Sequence, residues 1–162
     1  MGSMEELERR IARIEETEAI KRLKARYAEA SDTDYDWRTF GTLFTDDGVW
    51  ESNAFGTYHG REAVTGFMKG IADTGMIKFA HHSMVPQWID LADDLQTATG
   101  KWYLIEFATM PDAQGVDRAV VITCIYRDEF RKVDGQWLFT KVGAEFQFVS
   151  DWDKGWVEQQ FR

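Results

Sequence analysis

The spacing of hydrophobic positions changes once along the chain, from a helical period to a strand period. Over residues 5–30, Leu7, Ile11, Ile14, Ala19, Leu23 and Tyr27 recur at helical spacing among Glu, Arg and Lys, and no proline interrupts them. That pattern predicts one amphipathic helix. Ser31-Asp32-Thr33-Asp34 should end it, because these residues prefer caps and turns. A short second helix is expected over 37–44, and Asp46-Asp47-Gly48 turns the chain. Residues 49–52 and 55–59 read as a hairpin about Asn53-Ala54. A third helix over 61–72 would bury Val64, Phe67, Met68 and Ile71.

From residue 77 the apolar positions alternate. Residues 77–91, 96–109, 118–132 and 136–149 read as four long strands. Ala92-Asp93-Asp94, the stretch from Pro111 to Gly115, and Asp134-Gly135 punctuate them, the last as a tight hairpin turn. Helices first and strands later is the α+β pattern. A long helix and two shorter ones on a strongly curved antiparallel sheet make a cone, an α+β barrel open at one end, whose mouth is the default ligand site. One domain over 5–149 is expected, with 150–162 as a tail or lid carrying Trp152 and Trp156. Met1-Gly2-Ser3 ahead of Met4 reads as a remnant of expression, outside the fold.

Composition narrows the function. The 162 residues are 44% hydrophobic, enough for a core without disulfides or structural metal. A net charge of −9 argues against a nucleic-acid binder or an anionic membrane surface as partner. The lone Cys124 cannot form an internal disulfide, and no Cys/His set has zinc spacing. Apolar runs such as 119–122 fall far short of the ~20 residues of a membrane span. With no signal peptide at the start, a cytoplasmic protein is the expectation. Seven Trp and eleven Phe exceed the needs of a core this size and suggest an aromatic-lined cavity.

Few residues are candidates for chemistry. His59 precedes Gly60 and reads as an exposed turn residue. His81 and His82 are neighbours on a strand, so at most one of them faces the cone. Asp32, among Asp34 and Asp36, is either a turn-forming acid or a carboxylate that orients a histidine, fixing its tautomer so that the other ring nitrogen takes a proton. Glu106 shares strand parity with Trp102 and Leu104; buried there it would have a raised pKa, unless a bulge turns it to water. Tyr27, just over a helical turn before Asp32, is either core or a donor to a developing oxyanion. Trp50, Tyr58, Trp88, Trp102, Phe146 and Trp152 are packing or ring-stacking surfaces. There is no phosphate loop, no Gly-x-Ser-x-Gly elbow and no defensible two-His-one-carboxylate spacing.

The run from Glu18 to Tyr27 ending at Asp32, together with His82, the segment Thr97 to Leu104, and Asp134-Gly135-Gln136-Trp137, resembles SnoaL-like proteins of the nuclear-transport-factor-2-like superfamily, which have a cystatin-like α+β barrel. Within it the chain is most similar to bile-acid 7α-dehydratase, scytalone dehydratase and hexachlorocyclohexane dehydrochlorinase. The resemblance implies a lyase with no cofactor and no metal, in which an Asp–His dyad removes a proton as a leaving group departs. Asp32 falls on the helix-end aspartate and His82 on the strand histidine, the choice over His81 resting on the spacing to Ile89. Tyr27 matches the bile-acid enzyme's helix tyrosine, and Glu106 stands where that enzyme has an aspartate. Phe146 stands where it has a last-strand arginine.

The resemblance implies elimination from an aromatic or polycyclic hydrophobic small molecule, with Asp32, His82, Tyr27 and Glu106 catalytic. Trp50, Tyr58, Trp88, Trp102 and Phe146 would bind substrate. Dehydration of an aryl or polycyclic alcohol, in aromatic, lignin-derived or steroid catabolism, is the leading expectation. Isomerisation or cyclisation in the same pocket, loss of formaldehyde from a diaryl compound, and a non-catalytic role like that of dioxygenase β subunits are the alternatives. Relatives of this kind pair through the open sheet face, so a homodimer or homotrimer is expected.

Overall fold

The computed structural model describes residues 3–162; Met1 and Gly2 lie outside the described residues. Helix α1, Met4–Asp32, opens on Ser3, whose hydroxyl accepts the Glu6 amide at 3.1 Å. Ser3 therefore caps the fold's longest helix. The next elements are α2 (Trp37–Leu43), β1 (Phe44–Ser52), β2 (Gly56–His59) and α3 (Arg61–Thr74). Four long strands follow: β3 (Phe79–Leu91), β4 (Thr97–Pro111), β5 (Asp117–Val133) and β6 (Gln136–Asp151). Asp134 and Gly135, at φ 50° and 78°, form the two-residue turn between β5 and β6.

The sheet runs β2-β1-β6-β5-β4-β3, and its curvature comes with breaks in register. Gln87 is the extra residue between Pro86 and Trp88, Thr140 lies in the β5–β6 shift at Glu129/Phe130, and Gln147 in the one at Thr123/Cys124. Each such bulge bends its strand and reverses side-chain parity beyond it. The sheet is mixed instead of wholly antiparallel, since β1 lies parallel to β6. The helices carry the chain back across the sheet before β6 returns to pair with β1.

The concave face packs on α1. Ile20, Leu23, Tyr27 and Ala30 are buried along one stripe of that helix, meeting Trp102, Phe130 and Phe139 from the sheet. Each fully buried large apolar side chain contributes ~1.5–3 kcal/mol. Leu7, Ile11 and Ile14 were expected on the same stripe but are 46–64% exposed. The first turns of α1 run past the edge of the sheet. The helix is first tied down where Arg13 donates to the Leu91 carbonyl and the Trp137 indole donates to Glu16.

The tail packs beside β6. After β6 the chain makes a turn of helix, α4 (Gly155–Glu158), and returns along β6. The Val149 amide donates to the Gln160 carbonyl and the Arg162 amide to the Val149 carbonyl, at 2.8 and 3.0 Å. Ser150 and Asp151 also bond to Gln159. Trp152 and Trp156 remain largely exposed, Trp156 stacked on Phe148. No helix of the described residues is long and apolar enough to cross a membrane.

Candidate active site

The open end of the cone holds a cavity of about 260 Å³. Its walls are apolar, built by Trp50, Phe55 and Phe67 on one side and Met110, Ile122 and Phe146 on the other. Polar groups gather at its inner end: Tyr27, Ser31, Tyr35, His82, Glu106 and Tyr126.

The polar end is assembled where the end of α1 meets β3. Strand alternation sends His81 outward and His82 inward. Asp32, the last residue of α1, grips His82 twice. Its carboxylate accepts the His82 backbone amide at 2.9 Å and lies 2.7 Å from ring Nδ1. The backbone bond fixes the acid relative to the strand, and the ring bond fixes the imidazole tautomer. Nε2 is then left as the basic nitrogen, on the side of the cavity.

Glu106 sits directly opposite His82 in the β3–β4 register, and its Oε2 lies 3.4 Å from His82 Nε2. Burial pushes its carboxyl pKa up; the neighbouring imidazole pulls it down, and the Asp32 carboxylate raises it further. Oε1 has no hydrogen-bond partner among the described residues. An unpaired buried oxygen costs ~1–3 kcal/mol. No bulge intervenes at Glu106, and it faces the cavity, not water.

Tyr27 accepts the Trp50 indole N–H at 2.8 Å, which takes up an oxygen lone pair. Burial is the main cause of a phenol pKa above its usual value, so the hydroxyl keeps its proton and can donate. Tyr35 has the same character, its pKa raised mainly by burial and then by the Glu106 carboxylate. It reaches the site because Asp34 and Tyr35 both adopt left-handed backbone, at φ 48° and 50°, folding the chain back under α1. Two such non-glycine residues in succession are strained, and strain of this kind is often found at functional sites. Its ring meets His82 edge-on at 6.4 Å.

The aromatic residues expected to bind substrate divide. Trp50 and Phe146 line the cavity. Tyr58 does not; it stacks on Phe67 at 4.2 Å and supports the wall from behind. Trp88 is on the outer face, because the bulge at Gln87 reverses parity and sets it against Lys101, in a groove with Thr99 and Arg127. Trp102 is buried toward the closed end of the cone, edge-on to Phe130. Its ring lies where a side chain at position 100 would be, since a Cβ on Gly100 would come within 2.5 Å of it. Tyr35, Tyr126 and Arg162 line the cavity without having been singled out by the sequence. Alternation on β5 could have found Tyr126; no local signal announces the other two.

The profile of the SnoaL-like domain matches residues 12–143. The chain belongs to the SnoaL-like family. Solved structures with its cystatin-like fold include LinA, at 18% identity and a TM-score of 0.74, covering 88% of this chain and 93% of LinA. An aromatic-ring-hydroxylase-like protein from Novosphingobium aromaticivorans shares 23% identity at TM-score 0.73, covering 85% of this chain and 94% of its own. A scytalone-dehydratase-like protein from the same organism shares 18% at TM-score 0.71, covering 86% and 89%. At these identities the likeness establishes the fold of the SnoaL-like chain, and the chemistry must be argued from its own side chains. Among its described residues no group of three or more His, Cys, Asp and Glu is arranged to hold a metal ion.

Proposed function

We propose that this SnoaL-like protein is a lyase that eliminates water from a small aromatic alcohol by proton transfer between its own side chains. The observation that carries the reading is His82 held between two carboxylates of unequal character at the wall of an apolar cavity. Asp32 orients the ring, His82 Nε2 takes a proton from carbon, and the raised pKa of Glu106 suits it to protonate the departing oxygen. The C–H and C–O bonds break, a C=C bond forms, and water leaves with the Glu106 proton. That leaves an imidazolium facing a carboxylate across 3.4 Å. Transfer of the proton from Nε2 to Oε2 restores both groups, so the step needs no electron or group carrier. Tyr27 and Tyr35 are placed to hydrogen-bond an oxygen that gains charge.

Cavity size selects the substrate class. About 260 Å³ lies just below the ~300–1,000 Å³ usual for ligand sites, which favours one or two rings over a four-ring steroid skeleton. The scytalone-dehydratase-like neighbour, and LinA, whose type 2 form is named a hexachlorocyclohexane dehydrochlorinase, fit an elimination, and the Trp50, Phe55 and Phe146 walls fit an aryl group. The test is a panel of β-hydroxy aryl ketones and aryl alcohols in D2O. Loss of water is followed by ultraviolet absorbance and C–H exchange by NMR. Wild type should form the alkene, and His82→Gln should abolish both signals. Exchange with return of the proton to another carbon and no water loss would reassign the site to isomerisation. Absence of both signals across the panel, or full activity in His82→Gln, would overturn the acid–base reading.

A further inference from the structure

Arg162 is the one lysine or arginine among the described residues that line the cavity. It reaches the mouth because the tail runs back along β6, locked by the bonds of Gln160 and Arg162 to Val149. Its side chain is only 13% exposed. A guanidinium carries five N–H donors, yet among the described residues its hydrogen bond goes to the Pro111 carbonyl, at 3.1 Å. Asp151 Oδ1 pairs with the guanidinium by charge at 3.3 Å without forming a hydrogen bond, and that oxygen has no hydrogen-bond partner among the described residues. Asp151 is shared with Lys154 at 3.2 Å, so it is not committed to Arg162 alone. Arg118, a third cation nearby, is bonded to Asp112 and does not line the cavity. The cavity therefore has two unlike ends, the acid–base cluster inside and a half-committed guanidinium at the entrance, with an apolar barrel between.

We propose that Arg162 anchors a carboxylate on the substrate, so that the ligand is an amphipathic aryl acid held by its anionic end at the mouth with its reacting carbon at His82. This deepens the lyase reading and rests on it for the direction in which the substrate lies. A fixed, mostly desolvated guanidinium gives a charge-assisted, fork-like contact that a carboxylate matches and a neutral group does not. Asp151 beside it disfavours a phosphate dianion by like-charge repulsion, which leaves a monoanion as the fitting partner. Phe161, on the same tail segment, lines the mouth with it and covers the apolar body of the ligand.

The test is calorimetric binding of 2-naphthoate and of its neutral counterpart 2-naphthamide to the whole protein, in wild type, Arg162→Gln and Arg162→Lys. Wild type should prefer the carboxylate by at least about tenfold, the low end for a hydrogen bond to a charged group. R162Q should bring the two affinities within about twofold, and R162K should keep part of the preference. Equal affinities in wild type overturn the proposal without any variant, as does failure of both probes to bind. A preference that survives R162Q also overturns it. Repeating the titrations in His82→Gln separates the two readings. Carboxylate preference there, with no elimination by the wild type, leaves the anchor standing and the lyase reading fallen; the reverse pattern does the opposite.

Discussion

Two buried clusters of charge hang from the same helix, two turns apart, and they are built on opposite principles. Lys24 and Asp128 form a one-to-one ion pair at 2.7 Å, both side chains essentially inaccessible. The ammonium is boxed by rings, 3.6 Å from the centre of Tyr126 and 4.7 Å from that of Tyr27. Burial lowers the Lys24 pKa and raises that of Asp128, and each partner's charge opposes the shift of the other. Asp32, His82 and Glu106 make the other cluster, in which two acids share one imidazole. The first cluster is balanced and walled off from the cavity; the second is unbalanced and opens into it. Balance is what a structural ion pair requires, because an uncompensated buried charge is costly. Imbalance is what proton transfer requires, because a proton must have somewhere to go.

The contrast breaks first at His82. His82→Gln should lower kcat/KM by about 10²–10⁴-fold, the range for a general acid–base group, and leave the melting temperature near that of wild type. A comparable loss of stability instead would place the cluster with the structural pair. Lys24→Met should do the reverse. Removing one partner strands Asp128, whose Oδ1 already lacks a hydrogen bond, and should cost about 3–5 kcal/mol in denaturant unfolding. The double variant Lys24→Met with Asp128→Leu should recover most of that. If the single and double variants are equally destabilised, Lys24 matters through its packing among the rings and not through its charge.

Third in size is the effect of Glu106→Gln, which sharpens the contrast by pH. The Glu106 pKa is raised from 4.5 in the folded protein, with burial the main cause. Over the interval between 4.5 and the raised value the folded chain holds a proton that the unfolded chain has released. Stability therefore falls as pH rises through that window. Gln removes the liability, so E106Q should unfold at higher denaturant than wild type at neutral pH, with the gap closing below pH 4.5. In activity the same variant should keep C–H exchange but lose elimination. Wild-type elimination should decline on the alkaline side as Glu106 gives up its proton. An E106Q protein less stable than wild type at neutral pH would mean that Glu106 is held ionised by His82.

Legibility from sequence followed the range of the interaction. The period-3.6 run of α1 and the period-2 runs of β3 to β6 are local, and their ends were placed to within a few residues. Asp32 was a candidate as a helix-end acid, and strand parity narrowed His81 and His82 to one, both local properties; the choice of His82 came from the family resemblance. Whether Asp32 and His82 touch depends on how α1 lies across β3, which no spacing encodes. The errors came from single residues that reset parity or reach. Gln87, as a bulge, moved Trp88 to the outer face. The overhang of α1 exposed Leu7, Ile11 and Ile14. Tyr35 and Arg162 entered the cavity through a left-handed turn and a returning tail, and neither leaves a periodic trace.

The smallest expected effect, at Tyr27, tests whether the boundary between the two clusters is sharp. Tyr27 stands between them: its ring lies by Lys24, its hydroxyl is bonded to Trp50, and it lines the cavity with His82 and Glu106. Tyr27→Phe removes the acceptor of a buried indole N–H and should cost about 1–3 kcal/mol in stability. It should also lower kcat/KM, by about tenfold for one neutral hydrogen bond to an oxygen gaining charge. These losses have different owners, and a double-mutant cycle with Trp50→Phe separates them. With no indole to satisfy, the stability cost of Y27F should largely vanish in the Trp50→Phe background. The loss of activity should persist there, because the phenol proton acts on substrate and not on Trp50. If the activity loss also vanishes, Tyr27 does no more than hold Trp50 in the wall, and the reactive cluster ends at His82 and Glu106.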